Sequence, residues 1–304
     1  MDDFTRSWFD LNFEVAFLEK RQSEFQDLFA AIMERRHPGD FQRVRPWGKE
    51  GDRKSDGYLK SERILFAVYA PNELKSRQAI KKINADFLGA LPHWQEHFET
   101  WVFVHNSGQG LGPEVLKILL ELDKSHPEIK ITHWGKEEIR REVQMLGPVE
   151  LESLFGFAPT RSEMLNLSIA DIVPVIEHVS ALPEPAAADI KPVPAGKIEH
   201  NMLSTHVAAL LKVGMTRESL VRKYFRRQFD PTRRDKIANA FRTEYQRLKE
   251  NLTPDVVFHQ LQVFAGGASR SHPRHECGVL AVLAYFFGAC DIFEDPEYAD
   301  DSSN

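Results

Sequence analysis

The stretch that decides the fold is residues 47–71, WGKEGDRKSDGYLKSERILFAVYAP. Its first half places Asp52, Lys54 and Asp56 at alternate positions, and its second half contains the apolar run of residues 64–69. Alternate side chains of an extended chain share one face, so this spacing predicts two carboxylates and one ammonium group together at the mouth of a hairpin. Carboxylates that hold a divalent ion, with a lysine that orients water, are typical of metal-dependent phosphodiesterases.

Length and composition indicate a globular chain of about two domains. The 304 residues carry a formal net charge of −6, which excludes a nucleic-acid footprint over the whole chain and leaves only a local basic patch for such contacts. No apolar run reaches about 18 residues, so we expect no membrane span. The N-terminus MDDFTRSWFD does not have the pattern of a secretion signal. Two cysteines do not make a disulfide framework, and we expect a cytoplasmic protein.

The first half of the chain alternates between helical and extended patterns. Apolar residues at helical spacing predict one helix over residues 7–36, which the breakers after Arg36 end. The other predicted elements are an acidic strand at 52–56, strands at 64–70, 100–106 and 129–134, and helices at 73–91 and 113–122. This αββαβαβ order predicts an α/β layer with a partly parallel sheet.

The second half shows no convincing strand pattern. Residues 165–179 predict a bridging helix interrupted by Pro174, and residues 182–196 form a linker rich in Pro and Ala. Further helices are predicted at 200–213, 216–228, 233–251, 255–264 and 278–289, the last of which is apolar on nearly all sides and therefore buried. We thus predict an α/β domain over 1–165, a bridging helix and linker over 166–196, a helical interaction domain over 197–296 and an acidic tail over 297–304.

The acidic stretch needs further groups if it is to form a metal site. The predicted catalytic set is Asp56, Lys54, Glu24 and Asp52, in which Asp56 and Glu24 are the metal ligands and Mg²⁺ or Mn²⁺ is the cofactor. The alternative is a solvated strand end before a glycine turn. For Glu24 alone, an exposed helical glutamate is the simpler interpretation.

A second signal is the basic segment between Arg217 and Lys236. Eight basic residues stand against three acids there, a net charge of +5 in an otherwise acidic chain. The candidate nucleic-acid-binding residues are Arg222, Lys223, Arg226, Arg227, Arg233 and Arg234. A solvated helix face that pairs with acids elsewhere, or a surface for an acidic partner protein, are the alternatives. Zinc binding by His272, His275 and Cys277 is a weaker hypothesis, because H-x2-H-x-C is not a well-supported zinc spacing.

Two stretches together carry a resemblance to a known family. One is residues 47–58 with the strand ending VYAP at 68–71, and the other is VLAYFF at 282–287 with CDIFEDP at 290–296. The pairing resembles proteins of the bacterial ABC-three-component (ABC-3C) conflict systems, which are implicated in antiphage and mobile-element defence and are encoded beside an ABC-type ATPase. The resemblance implies a restriction-endonuclease-like (PD-(D/E)XK-type) α/β domain, a mixed sheet flanked by helices, followed by an all-α C-terminal domain.

The residues implied by that resemblance match only in part. Asp56 matches the nuclease aspartate and Glu24 the helical acid, but Ala67 stands where relatives often have glutamine, and Tyr69 where active enzymes have lysine. Loss of a ligand and of the lysine should cost several kcal/mol of transition-state stabilisation. The expected function is therefore a defence component with a degenerate nuclease-like domain that binds nucleic acid or partner subunits.

Two other functions stay open at this point. One is an active Mg- or Mn-dependent endodeoxyribonuclease, and the other is a non-enzymatic scaffold that docks an ABC-type ATPase. The expected partners are that ATPase or other defence subunits, with DNA as a candidate ligand, no membrane, and an oligomeric state that the sequence leaves open.

Overall fold

The computed structural model describes residues 1–44, 53–182, 197–230, 232–267, 272–289 and 292–294. The chain divides into two compact units. We call residues 16–154 the α/β unit, and residues 1–15 with 155–304 the helical unit. Asp52 and the predicted linker beyond Leu182 lie outside the described residues.

The α/β unit contains helices on both sides of one sheet, and it begins within the first helix of the chain. The elements in chain order are α1 (Asp3–Glu19), α2 (Gln22–Arg36), β1 (Phe41–Arg43), β2 (Gly57–Leu59), β3 (Ile64–Tyr69), α3 (Ser76–Trp94), β4 (Thr100–His105), α4 (Pro113–Ser125), β5 (Lys130–Trp134), α5 (Lys136–Gln144) and α6 (Pro148–Phe155).

The five strands form one mixed sheet in the order β1-β2-β3-β4-β5. β2 is antiparallel to β1 and to β3, whereas β3, β4 and β5 run parallel to one another. Parallel neighbours require a crossover connection, and α3 and α4 supply the two crossovers. The prediction of an α/β layer with a partly parallel sheet is confirmed.

The two faces of the sheet carry different apolar layers because successive strand residues point to opposite sides. Against α2, the ring of Phe66 lies 5.3 Å from that of Phe29 and 5.1 Å from that of Trp134. On the other face, Leu65, Ala67 and further buried residues form a core with α3 and α4: Ala79, Ile83, Phe87, Ala90, Phe98, Trp101, Phe103, Val115, Leu119, Ile129 and Ile131. The sheet is thus the middle of three layers.

Two local predictions for this unit are wrong. The single helix predicted over residues 7–36 is two helices, and Gln22, at the break, has a φ of +48°. The predicted acidic strand is not extended, because Arg53 and Lys54 have φ values of +50° and +64° and form a turn. β2 begins only at Gly57, and the three-residue strand β1 was not predicted at all.

The helical unit contains no strand within its described residues. Its helices are α7 (Arg161–Leu165), α8 (Ile169–Ser180), α9 (Lys197–His200), α10 (Thr205–Met215), α11 (Glu218–Arg226), α12 (Arg233–Lys249), α13 (Pro254–Gly266) and α14 (Pro273–Gly288). The helical character predicted for this half is confirmed, although the helix predicted over 200–213 begins only at Thr205, and the short helix α9 ends at His200.

Helix α14 is the core of the helical unit. Every residue from Glu276 to Phe287 is buried, as the all-round apolar pattern predicts. Two glycines allow neighbouring backbones to approach it. A Cβ on Gly214 of α10 would lie 2.6 Å from the carbonyl oxygen of Leu280, and a Cβ on Gly278 would lie 2.7 Å from that of Asp171 in α8.

We predict that Gly214→Ala destabilises the helical unit although alanine is the better helix former. The overlap with a backbone oxygen should cost more than the ~1 kcal/mol gained from helix propensity, leaving a net loss of about 1–3 kcal/mol. Urea unfolding followed by circular dichroism measures the difference. Gly288→Ala is the matched control, because a Cβ there meets nothing within 4 Å, and this variant should be neutral or slightly more stable. Equal stability of Gly214→Ala and wild type would contradict the packing argument.

Candidate functional site

Asp56 lies immediately before β2 and extends the ladder of β3. Its backbone N–H donates to the carbonyl of Phe66 at 2.9 Å. Its Oδ2 accepts a hydrogen bond of 2.7 Å from the backbone N–H of Val68, which lies beyond the last residue that β2 pairs. The half-buried carboxylate therefore takes the place of a backbone carbonyl, at the carboxyl end of a central strand.

Glu24 is exposed in the first turn of α2. The start of that helix is held at the same end of β3, because the N–H of Gln22 donates to the carbonyl of Ala70 at 2.6 Å. The two predicted metal ligands thus belong to elements that join the last residues of β3. An acid in the first turn also interacts favourably with the helix dipole, which is the simpler role for Glu24.

Lys54 lies over α3. Its Nζ is 4.0 Å from Oδ1 of Asp86, whose other oxygen is 2.6 Å from Nζ of Lys82. The stem of Lys54 packs so closely on α3 that a Cβ on Gly89 would lie 2.8 Å from its Cγ. Asp86 is only 2% exposed, so the two lysines compensate a buried carboxylate. The shared face that alternation predicted for Lys54 and Asp56 does not apply, because Lys54 lies in a turn.

Ala67 and Tyr69, at which the sequence departs from the motif of the nucleases it resembles, are packed against helices on one face of the sheet. Ala67 is 1% exposed in the core beneath α3 and α4. The ring of Tyr69 lies 6.1 Å from that of Phe103, on the same face. Neither side chain brings a charge to the end of β3. Within the described residues, no group of three or more His, Cys, Asp or Glu side chains is arranged to hold a metal ion.

A pair of histidines, which the sequence reasoning missed, lies at the ends of the neighbouring strands β4 and β5. Nε2 of His105 is 3.4 Å from Nδ1 of His133. The backbone N–H of Ser107 donates to Nδ1 of His105 at 3.2 Å. Since that nitrogen is an acceptor, the proton of the neutral ring belongs on Nε2, where it is directed at His133. A histidine near the end of each of two neighbouring parallel strands was the signal in the sequence.

The surroundings of His105 favour its neutral form. The residue is 1% exposed, and a Cβ on Gly135 would lie 2.9 Å from its ring. Burial, and to a lesser extent the nearby His133, lowers the pKa of His105 from 6.5 to about 4, while the carboxylate of Glu138 acts in the opposite direction. The α/β unit therefore contains an imidazole that is uncharged when folded but would titrate normally when unfolded.

We predict that this imidazole makes the stability of the α/β unit depend on pH. Below pH 6.5 His105 of the unfolded chain binds a proton, whereas His105 of the folded unit stays neutral down to about pH 4. The free energy of unfolding therefore has its full value above pH 6.5 and decreases as the pH falls from 6.5 to 4. The loss amounts to at most about 3 kcal/mol. Urea unfolding from pH 7.5 to 4.5 should show a smaller decrease for His105→Asn than for wild type. His93→Asn, at an exposed site, should keep the wild-type pH dependence. Parallel curves for wild type and His105→Asn would refute the assignment.

The basic segment forms one exposed face of α11. Val221 and Tyr224 point into the helical unit, whereas the basic side chains at i, i+1, i+4 and i+5 are exposed. These four residues, which we call the α11 basic face, are Arg222, Lys223, Arg226 and Arg227. Arg222 pairs with Glu218 on its own helix. In the described part of the chain, no acid pairs with Lys223, Arg226 or Arg227.

The other two predicted bases, Arg233 and Arg234, contribute to packing within the helical unit. Nη2 of Arg233 is 2.8 Å from Oε1 of Glu177, and its guanidinium lies 5.9 Å from the centre of the Tyr224 ring. Nε of Arg234 donates to the hydroxyl of Tyr285 at 2.9 Å. Both arginines therefore join α12 to neighbouring helices, and the four residues on α11 are those presented to solvent.

The proposed zinc residues do not assemble. Cys277 is fully buried in α14, and burial, reinforced by nearby carboxylates including Glu163, raises the pKa of its thiol to about 12. Nε2 of His275 lies 3.0 Å from the carbonyl oxygen of Gly266. Nothing in the described ranges has the length and apolar character that a helix needs to cross a bilayer.

The helical unit is an all-α assembly organised around a buried helix near the C-terminus. Residues 170–294 match the family model described as C-terminal domain 10 of the ABC-three component (ABC-3C) systems. The match spans nearly all of α8 and every helix after it, and it supports the predicted place of this chain in an ABC-3C system, and hence in defence. No curated protein and no solved structure shows a significant match. The α/β unit lies outside the matched residues.

Proposed function

We propose that this chain is the nucleic-acid-binding component of an ABC-3C defence system and that the α11 basic face is its contact surface. The observation that carries the proposal is the exposure of Lys223, Arg226 and Arg227 without an acidic partner in the described chain. In a protein of net charge −6, such a local excess of cations is the feature expected of a surface that attracts phosphates.

The internal roles of the neighbouring residues support this proposal. Apolar and aromatic residues of α11 anchor one side of the helix, where the ring of Phe225 lies 5.6 Å from that of Tyr285. The basic face is therefore displayed from a fixed helix rather than from a loose segment. Association with an ABC-type ATPase or another subunit of the same system is part of the proposal, since the matched domain belongs to multi-component systems.

We predict that reversing the charges of Lys223, Arg226 and Arg227 removes salt-dependent binding. The variant Lys223→Glu/Arg226→Glu/Arg227→Glu should lose DNA retention, and the slope of log affinity against log salt should fall by about 2–3, because each phosphate contact contributes about 0.7–0.9. Fluorescence anisotropy at several salt concentrations measures both quantities.

A control variant separates the surface from the net charge. Arg77→Glu/Lys81→Glu/Lys124→Glu changes the charge by the same amount at exposed positions of the α/β unit and should bind as wild type. An equal loss of DNA affinity in both variants would show that binding depends on the net charge of the protein and not on the α11 basic face. Absence of DNA binding by the wild type would favour the scaffold that only docks a partner.

A second proposal concerns the α/β unit, for which we infer a restriction-endonuclease-like fold. Two features support it: a mixed sheet between helical layers, and the placement of Asp56 and the helix bearing Glu24 at the end of β3. Mg²⁺ is often held by one or two carboxylates together with waters and substrate phosphates, so Asp56 and Glu24 are the proposed ligands, with Lys54 and Asp52 nearby in sequence. Ala67 and Tyr69 supply neither the further ligand nor the cation that cleavage needs. We therefore propose that the α/β unit does not cleave nucleic acid and that the α11 basic face is the binding surface.

We predict that purified protein does not nick plasmid DNA with Mg²⁺ or Mn²⁺ above the level of Asp56→Asn. Asparagine keeps an oxygen that can accept the hydrogen bond from Val68 but removes the negative charge, so this variant should stay folded. Agarose electrophoresis of supercoiled plasmid provides the measurement. Metal-dependent nicking by wild type that disappears in both Asp56→Asn and Glu24→Gln would establish the active DNase instead.

A further inference from the structure

Phe229 is a fully exposed aromatic residue beside the α11 basic face. The residue has a relative exposure of 106%, the highest among the large hydrophobic residues of the described chain. It follows Arg226 by three positions and Arg227 by two, and three residues span at most about 11 Å. The three backbone positions are therefore close enough for one short ligand to reach all three residues.

The residues on either side of Phe229 are held by side-chain hydrogen bonds. Nη1 of Arg233 donates to Oε1 of Gln228 at 3.3 Å. Oδ1 of Asp230 accepts hydrogen bonds from the backbone N–H and the hydroxyl of Thr232, at 2.9 Å and 2.7 Å. These bonds hold Gln228 and Asp230, the two neighbours of Phe229, while Phe229 itself is exposed. They also engage the one carboxylate adjacent to Phe229.

We infer that Phe229 and the α11 basic face form one binding site for single-stranded nucleic acid, in which an unpaired base stacks on the Phe229 ring. The inference rests on the proposed function and specifies its ligand. A solvent-exposed aromatic ring beside cations is the combination that single strands use, since phosphates contact the cations and a base offers its face to the ring. In a duplex the base faces are covered by neighbouring base pairs, so duplex DNA would engage only the cations. An acidic protein would likewise use the cations but has no bases to stack.

The test compares a fluorescent single-stranded 12-mer with a hairpin duplex of equal length, by anisotropy at one salt concentration. Phe229→Ala should weaken binding of the single strand about tenfold, the range for loss of one stacked base being roughly 5- to 150-fold. Its duplex affinity should stay within twofold of wild type. Phe229→Trp should retain single-strand binding, and its added indole fluorescence should be quenched by the oligonucleotide.

Phe157→Ala is the matched control, because Phe157 is another exposed phenylalanine of the helical unit, at 63%. It should bind both oligonucleotides as wild type does. Circular dichroism spectra of all variants exclude misfolding as the cause of a loss.

Failure of this inference is distinguishable from failure of the proposed function. Unchanged single-strand affinity in Phe229→Ala, or an equal loss for strand and duplex, would overturn stacking while the charge reversal still abolishes binding. If the charge reversal has no effect on either oligonucleotide, the proposed function itself falls. Displacement of the single strand by polyglutamate at equal charge concentration would indicate an acidic protein partner and overturn the nucleic-acid site.

Discussion

A strand in the middle of a sheet must pair its backbone groups on both edges, and the way in which β3 meets this constraint involves the turn before β2 and the start of α2. β2 pairs only residues 64–66, so the amide of Val68 needs another acceptor. The carboxylate of Asp56 supplies it, and the amide of Gln22 uses the carbonyl of Ala70. These two hydrogen bonds, one to β3 and one to the residue after it, hold the turn before β2 and the start of α2 at the same end of the strand. Asp56, a predicted metal ligand, thus completes the hydrogen bonding of β3, and Glu24, the other predicted ligand, lies two residues after Gln22.

The helical unit depends on a different constraint, the close approach of backbones around α14. Glycines at helix crossings remove the side chains that would separate α14 from α8 and α10. Large aromatic residues then fill the remaining space, as where the ring of Phe241 lies 5.0 Å from that of Phe286. Because the apolar side of α11 joins this core, its charged side has a fixed direction. The apolar packing of α11 therefore decides which of its side chains are presented to solvent.

Regular elements were largely predictable from the sequence, whereas their interruptions were not. Long apolar periodicities located α3, β4, α4 and the helices after residue 197, because burial of one face or of all faces leaves a pattern in the residues. The break at Gln22 left no such mark, since the apolar stripe of α1 continues in phase into α2. At Arg53 and Lys54, charged residues at alternate positions suggested an extended chain although both adopt a left-handed turn.

The candidate sites were less predictable than the elements. The sequence did not show which of the six candidate nucleic-acid-binding residues are exposed and which pack inside the helical unit, because that depends on tertiary partners such as Glu177 and Tyr285. The contact between His105 and His133 was likewise not predictable, because it depends on the register of β4 and β5.

The glycines at 135 and 214 are constrained by different kinds of neighbour, and this difference has an evolutionary consequence. Next to Gly214 lies a main-chain oxygen, which every amino acid at position 280 would present, so glycine is required there regardless of the residue opposite. Next to Gly135 lies the imidazole of His105, which a substitution could shorten. Position 214 should therefore be invariant among relatives that share this fold, whereas positions 105 and 135 should covary, with a bulkier residue at 135 accompanied by a smaller one at 105.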